Sequence, residues 1–293
     1  MKVGVIAILG KPNAGKSTLL NALLSKKVSI VSPKAQTTRD SVMGVLNEKD
    51  RQIVFVDTPG IYYGDGKLDS HMRRAAFGSS RDVDAILYLI DGSVDSVESD
   101  IKILKSIDSE APKTIVLNKI DLIRVEKARD MEAKIKEAFP NAPILETAFK
   151  DNFGLKEVKK AIEPYLWDGD PLFEAGTLTD KDREYQAKEL IREKMLHFLR
   201  QEIPHQSAVR IDSFKREKGG YHIEASLIVE KAAHKSIVIG KGGEMIKKIS
   251  MAARHEMERN WHDHVTALTI EVVVMPGWRN SPKLLAELGY GDR

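Results

Sequence analysis

The sequence predicts two units in tandem, an α/β unit with a mainly parallel sheet and helices on both faces and then a smaller α+β unit with its own winding. Three observations lead there. Up to about residue 166, short β-branched runs alternate with longer amphipathic stretches, which is the order of βαβ units. From residue 182 onward the order becomes helix, two strands, two helices and a strand, which does not continue the first winding. Between them, Asp168-Gly169-Asp170-Pro171 through Gly176-Thr177 is rich in turn-formers. The expected extents are 1–166, a linker at 167–181, a second unit at 182–276 and a tail at 277–293.

In the first unit the expected strands are Val3–Leu9, Gln52–Val56, Ala85–Ile90, Thr114–Leu117 and Ile144–Glu146. Helical patterns lie between and after them, at Ser17–Leu24, Ile101–Ser109, Ala128–Phe139 and Leu155–Glu163. The second unit reads as a helix over Asp182–Gln201, strands Ser207–Lys215 and Tyr221–Val229 around Gly219-Gly220, and a short helix near His234–Ile239. A long helix over Glu244–Asn260 and a strand over Thr266–Met275 follow. A chain of 293 residues is longer than one core usually grows, so two cores are expected.

A hydrophobic fraction of 42% with 30% charged residues excludes wholesale disorder. The absence of cysteine removes disulfide frameworks, thiolate metal sites and cysteine nucleophiles, and suits a reducing cytoplasm. The apolar start, Met1 to Leu9, is too short to span a membrane and runs directly into Gly10, so it reads as a buried strand. The net charge of +3 is unevenly spread: residues 231–255 carry Lys231, Lys235, Lys241, Lys247, Lys248 and Arg254 against Glu244 alone.

Gly10-Lys11-Pro12-Asn13-Ala14-Gly15-Lys16-Ser17 matches G-x-x-x-x-G-K-[ST] after a strand and at the opening of a helix. Glycines let the loop turn its N–H groups and the helix N-terminus toward phosphates. Lys16 adds a cation at the β/γ-phosphates and Ser17 a hydroxyl for Mg²⁺, with Thr18 among the expected nucleotide contacts. Asp57-Thr58-Pro59-Gly60-Ile61 ends an apolar strand, where Asp57 can hold the Mg²⁺ shell and the Gly60 N–H can meet the γ-phosphate.

Asn118-Lys119-Ile120-Asp121 selects the base. The Asp121 carboxylate can accept two bonds from the N1–H and N2–H₂ of guanine, a donor pair that adenine lacks. Each charge-assisted bond contributes about 1.5–3 kcal/mol, so GTP and GDP are the expected ligands. Thr147-Ala148 after the last strand can offer a backbone N–H to guanine O6. In Ala35-Gln36-Thr37-Thr38-Arg39-Asp40, Thr38 is the expected switch hydroxyl and Mg²⁺ ligand, with Thr37 the competitor. Lys16, Thr38 and Gly60 form the expected catalytic set.

Ile61 stands where some GTPases place a water-orienting glutamine and cannot hydrogen-bond water, so slow basal hydrolysis is expected. Asn13 is a candidate ligand for K⁺ or a brace for the loop turn. In the second unit, Gly240-Lys241-Gly242-Gly243 places G-x-x-G between two helical segments, and with the α-β-β-α-α-β order and the basic cluster on it the arrangement looks like a type II KH domain. Lys235, Lys241, Lys247 and Lys248 would meet RNA phosphates. Ile237, Val238, Ile239, Ile246 and Ile249 would form apolar walls beneath the bases. His262-Asp263-His264 reads as a solvated loop in preference to a metal site, and Trp278 as tail packing in preference to a base platform.

The combination resembles the Era family of bacterial GTPases over nearly the whole chain. The resemblance rests on Gly10–Ser17, Gln36-Thr37-Thr38-Arg39, Asp57–Gly60, Asn118–Asp121, Arg192-Glu193-Lys194 and the run from His234 to Gly243. Gly277-Trp278 and Leu288-Gly289-Tyr290 also look like that family's C-terminal end. It implies binding near the 3′ end of 16S rRNA, action on the 30S subunit during its maturation, and peripheral contact with the inner membrane from the cytoplasm. DNA is not an expected partner. The rival expectation is an RNA chaperone that holds nucleotide structurally and hardly turns it over.

Overall fold

The computed structural model describes residues 1–62 and 65–290, so the end of the expected tail, 291–293, lies outside it. The chain divides into two compact units. One comprises Met1–Val31, Thr38–Gly64 and Met72–Asp180, and the other Ser32–Thr37, Asp65–His71 and Lys181–Arg293.

The first unit runs β1 (Lys2–Gly10), α1 (Lys16–Leu24), β2 (Val42–Asn47), β3 (Arg51–Asp57), the part of α2 (Lys67–Gly78) from Met72 onward, β4 (Ala85–Asp91), α3 (Glu98–Ser106), β5 (Lys113–Asn118), α4 (Val125–Ala138), β6 (Ile144–Thr147), α5 (Leu155–Ile162) and β7 (Trp167–Asp168). The sheet order is β2-β3-β1-β4-β5-β6, with β7 on the start of β1. Strands β3, β1, β4, β5 and β6 are parallel, while β2 and β7 pair antiparallel. Both faces are covered, as parallel sheets require. On β1, Ile6 and Ile8 face the core under α1 and α5, while Ala7 and Leu9 face that under α3 and α4. That alternation is the period-2 pattern of a strand buried on both sides.

Strand β2 has no counterpart among the expected strands, because Gly44 interrupts a short run with no clear alternation. Its outer edge is occupied by the stretch read as a linker. The Val45 N–H donates to Leu178 O (2.9 Å), Asn47 Nδ2 to Thr177 O (2.8 Å) and the Met43 N–H to Asp180 Oδ1 (2.8 Å). Gln52 exchanges bonds with the Phe173 main chain (2.8 and 3.0 Å). The unpaired amides of an edge strand thus find partners in a segment whose composition alone reads as loop.

The second unit contains α6 (Arg183–Phe198), β8 (Ser207–Glu217), β9 (Gly220–Val229), α7 (Ala232–Ile239), α8 (Glu244–Trp261), β10 (Val265–Val274) and α9 (Pro282–Glu287). Asp182 caps α6 by accepting from the Tyr185 N–H (2.8 Å). The sheet order is β10-β9-β8, with β10 parallel and β8 antiparallel to β9. Ile191, Met195, Val209, Leu227, Ile249 and Met257 are buried in this unit. The tail adds α9 and buries Trp278, whose Nε1 donates to Gln206 O (3.2 Å), so Trp278 packs and does not present a face for stacking.

Candidate nucleotide and RNA sites

Parallel pairing brings the nucleotide motifs to the carboxyl ends of neighbouring strands, where open α/β sheets hold ligands. In register, Ile8 lies opposite Asp57, Leu89 opposite Gly10, and Asn118 between Asp91 and Thr147. Four segments far apart in sequence therefore surround one loop, residues 10–17. Gly15 opens α1 at φ 104°, and a Cβ there would lie 2.3 Å from Asn118 Nδ2, so only glycine fits. Asn118 donates to Ala14 O (2.9 Å) and accepts from Thr147 Oγ1 (3.2 Å) and the Phe149 N–H (3.2 Å). It ties the phosphate loop to the base-side loop.

The Lys16 ammonium is buried and donates to Gly10 O (3.1 Å) and Lys11 O (2.9 Å). Burial pulls its pKa down to about 8, against the opposing pull of Asp57 and Asp100. Burial also pushes the Asp57 carboxyl above its ordinary value, and the Lys16 charge opposes that shift. Ser17 Oγ donates to Asp57 Oδ2 (2.6 Å) and stands 3.0 Å from Thr38 Oγ1. Asp57 Oδ1 is buried with no hydrogen-bond partner. Two hydroxyls and a carboxylate with an unused oxygen fit a hard divalent cation such as Mg²⁺. Thr37 is turned elsewhere, its Oγ1 donating to Lys34 O (2.6 Å), so the geometry favours Thr38 over its competitor.

Thr58 is fixed by a bond to Ile8 O (2.8 Å) and leads into the buried pair Pro59 and Gly60. Ile61 is 1% exposed, packs in the core under α3 and α4, and donates its N–H to Gly10 O (3.1 Å). It is a wall residue with no group aimed at water; the exposed residue after it is Tyr62. Lys119 reaches Asp91 through Nζ, and Asp121 is exposed at the turn beside Ile120. The amide expected at guanine O6 is otherwise engaged: the Ala148 N–H donates to Phe153 O (3.2 Å) in a tight return. Asn13 and Pro12 cross the top of the loop, with Asn13 exposed at φ 65°, while Thr18 is half-buried in the first turn of α1.

Sequence reasoning missed the anchor of Lys11. Its Nζ donates to Ser99 Oγ (2.8 Å) and lies 3.5 Å from Asp100, which Tyr88 in turn bonds (3.1 Å). No motif marks Asp100; the signal available was an acid in the first turn of α3.

In the second unit, Gly240, Gly242 and Gly243 all have positive φ (76°, 61° and 80°), and α8 begins immediately after them. A Cβ at Gly242 or Gly243 would meet nothing within 4 Å, so the turn is exposed main chain at a helix N-terminus. Lys241, Lys247 and Ile237 are exposed, and Lys235, Ile239 and Ile246 partly so. Val238 and Ile249, expected as walls beneath the bases, are fully buried core residues. On α7 Val238 lies about 100° around the helix from the exposed Ile237, which turns it inward, and Ile249 lies on the buried stripe of α8 with Ala253 and Met257. Lys248 folds its ammonium over the Phe198 ring, 4.5 Å from the centroid. Asp263 is held by Arg183 (3.1 Å) and Arg216 (3.3 Å), which gives the His262-Asp263-His264 turn a structural use.

Two family models match the chain. The family model described as 50S ribosome-binding GTPase matches residues 5–119, and that of the KH domain matches residues 202–278. A GTPase Era of Clostridium kluyveri is 42% identical over 292 residues, covering 99% of each chain. That of Clostridium acetobutylicum is 39% identical over 290 residues, covering 99% of this chain and 98% of its own. Among solved structures, Era in complex with MgGDPNP and nucleotides 1506–1542 of 16S ribosomal RNA superposes with a TM-score of 0.95 at 37% identity, covering all of both chains. An Aquifex aeolicus Era variant bound to GDP and AlF₄⁻ gives the same TM-score, 0.95, at 37% identity over both full chains.

Proposed function

This chain belongs to the GTPase Era family and hydrolyses GTP, and on that premise we propose that its nucleotide state governs how the Gly240–Gly243 turn holds 16S rRNA near the 3′ end during assembly of the 30S subunit. The observation that carries this reading is the meeting of the Ser17 and Thr38 hydroxyls with the Asp57 carboxylate, whose other oxygen has no hydrogen-bond partner. A loop hydroxyl at this point can join a Mg²⁺ that also holds a γ-phosphate, and a contact of that kind distinguishes GTP from GDP.

The residues act as follows. Lys16 leaves the Gly10 and Lys11 carbonyls for the β/γ-phosphates, and its buried position strengthens that pairing. Bound Mg²⁺ supplies Lewis-acid neutralisation of the phosphate oxygens. Ser17 and Asp57 fix the cation's side of the site, and Thr38 closes it. The Gly60 N–H meets the γ-phosphate, and Asp121 reads the guanine edge. Ile61 excludes water without orienting it, so turnover is slow until another element helps. Asn13, exposed on the loop, is where K⁺ would sit to neutralise transition-state charge. Equal rates in K⁺ and Na⁺ would remove that ion from the mechanism.

RNA is held through the exposed Lys241 and Lys247 and the glycine amides, with Ile237, Ile239 and Ile246 against the bases. Any contact with the inner membrane is peripheral in this reading: among the described residues no helix is long and apolar enough to cross one. Single-turnover GTP hydrolysis with and without a 16S 3′-end oligonucleotide tests the proposal. A rate that responds to the oligonucleotide supports it; an unchanged rate favours a chaperone that holds nucleotide structurally.

A further inference from the structure

The Arg192-Glu193-Lys194 run, in the middle of α6, is used by neither site described above. Arg192 is 0% exposed. Its guanidinium is paired with Glu189 one turn earlier, Nε to Oε1 at 3.0 Å and Nη2 to Oε2. A bidentate fork leaves the outer hydrogens of both Nη atoms to be used elsewhere. They go to two successive main-chain oxygens of the same compact unit: Nη2 donates to Thr37 O and Nη1 reaches Gln36 O at 3.5 Å.

The segment Ser32–Thr37 is held from its other sides as well. Gln36 sits in the left-handed region (φ 58°) and donates through Nε2 to Asp69 Oδ1 (2.8 Å). Thr37 Oγ1 donates to Lys34 O (2.6 Å), and Lys34 Nζ donates to Leu199 O at the end of α6. One peptide bond further on is Thr38, whose Oγ1 lies 3.0 Å from Ser17 Oγ. The neighbours of Arg192 point the other way: Lys194 Nζ bonds Glu193 (2.8 Å) and Glu256 (3.2 Å), and Glu256 lies on α8, the helix that opens at Gly243. Three consecutive residues thus tie α6 to the loop before Thr38 and to the helix after the glycine turn.

We propose that Arg192 is a positioning residue for GTP hydrolysis: from the RNA-binding unit it fixes the Gln36–Thr37 main chain and so sets where the Thr38 hydroxyl stands. The proposal rests on the reading of Thr38 as the γ-phosphate-sensing ligand. A lysine cannot replace the fork, because one ammonium cannot serve a carboxylate and two carbonyls in that planar geometry. GDP binding, which does not use Thr38, is independent of Arg192.

The test uses the full chain with Arg192→Lys, Asp69→Ala, Thr38→Ala and the double variant Thr38→Ala/Arg192→Lys, each checked for folding by circular dichroism. Single-turnover GTP hydrolysis, GDP affinity and the Mg²⁺ concentration needed to bind a non-hydrolysable GTP analogue are measured. Arg192→Lys and Asp69→Ala each lower hydrolysis about tenfold or more and raise the Mg²⁺ requirement, while GDP affinity changes by less than about twofold. The double variant loses no more than Thr38→Ala, because both act through one hydroxyl. If Arg192→Lys does not fold, Asp69→Ala, which loosens the same main chain from the opposite side, decides the matter. Folded variants with the wild-type rate, equal losses of GDP and analogue affinity, or multiplying losses in the double variant overturn the proposal. A Thr38→Ala chain that hydrolyses normally removes the underlying reading, and the proposal with it; normal loss in Thr38→Ala with none in the other two removes the proposal alone.

Discussion

Lys16 and Asp57 are two opposite charges buried within one small site, and each is pulled toward its neutral form by that burial. The consequence for Lys16 has a definite sign. With a pKa of about 8 in the free protein, it loses its proton as pH rises past that value, while a bound phosphate favours the charged form. GDP affinity therefore falls above pH 8 or so, and binding there takes up a proton. Calorimetry at about pH 8.5 in buffers of differing ionisation enthalpy checks this; no proton uptake would contradict it. At the base end, Asp121→Asn replaces a double acceptor by a group that presents one acceptor and a donor. Guanine nucleotide affinity should drop about 10²-fold or more, with ATP affinity not improved, as measured by competition against labelled GDP.

Elements set what could be read before folding. The loop 10–17, Asp57–Gly60 and Asn118–Asp121 were legible because phosphate, metal and guanine each demand particular side chains beside a strand end, and the hydrophobic pattern placed the strands. The roles of Lys11, Asp100 and Arg192 were not, since each depends on a partner from another element and has no local pattern. Val238 and Ile249 were misplaced because an apolar run at a helix-turn-helix does not reveal which residues face the core. Strand β2 was absent from the expected strands and its docked partner at 177–180 was read as linker, because edge pairing is main-chain chemistry that composition does not record. The glycine turn itself gives a clean element-level prediction. Gly242→Asp puts a negative charge at φ 61° on the exposed turn, beside Lys241. RNA affinity should fall at least about tenfold in filter binding, with GTP hydrolysis in the absence of RNA unchanged.

At the scale of the whole chain, the account is one of linkage. In the proposed reading Thr38 closes on Ser17 and Asp57 when the γ-phosphate is bound, and the residues just before it, Ser32–Thr37, belong to the unit that carries the glycine turn. Whatever factor the γ-phosphate contributes to RNA affinity, RNA must return to the affinity for the GTP analogue. The most direct measurement is the dissociation constant of a 16S 3′-end oligonucleotide for the full chain, taken in saturating Mg²⁺ with GDP and then with a non-hydrolysable GTP analogue. The account predicts tighter binding with the analogue by about tenfold or more, abolished in Thr38→Ala. Identical affinities in the two nucleotide states, with both nucleotides bound, would contradict it.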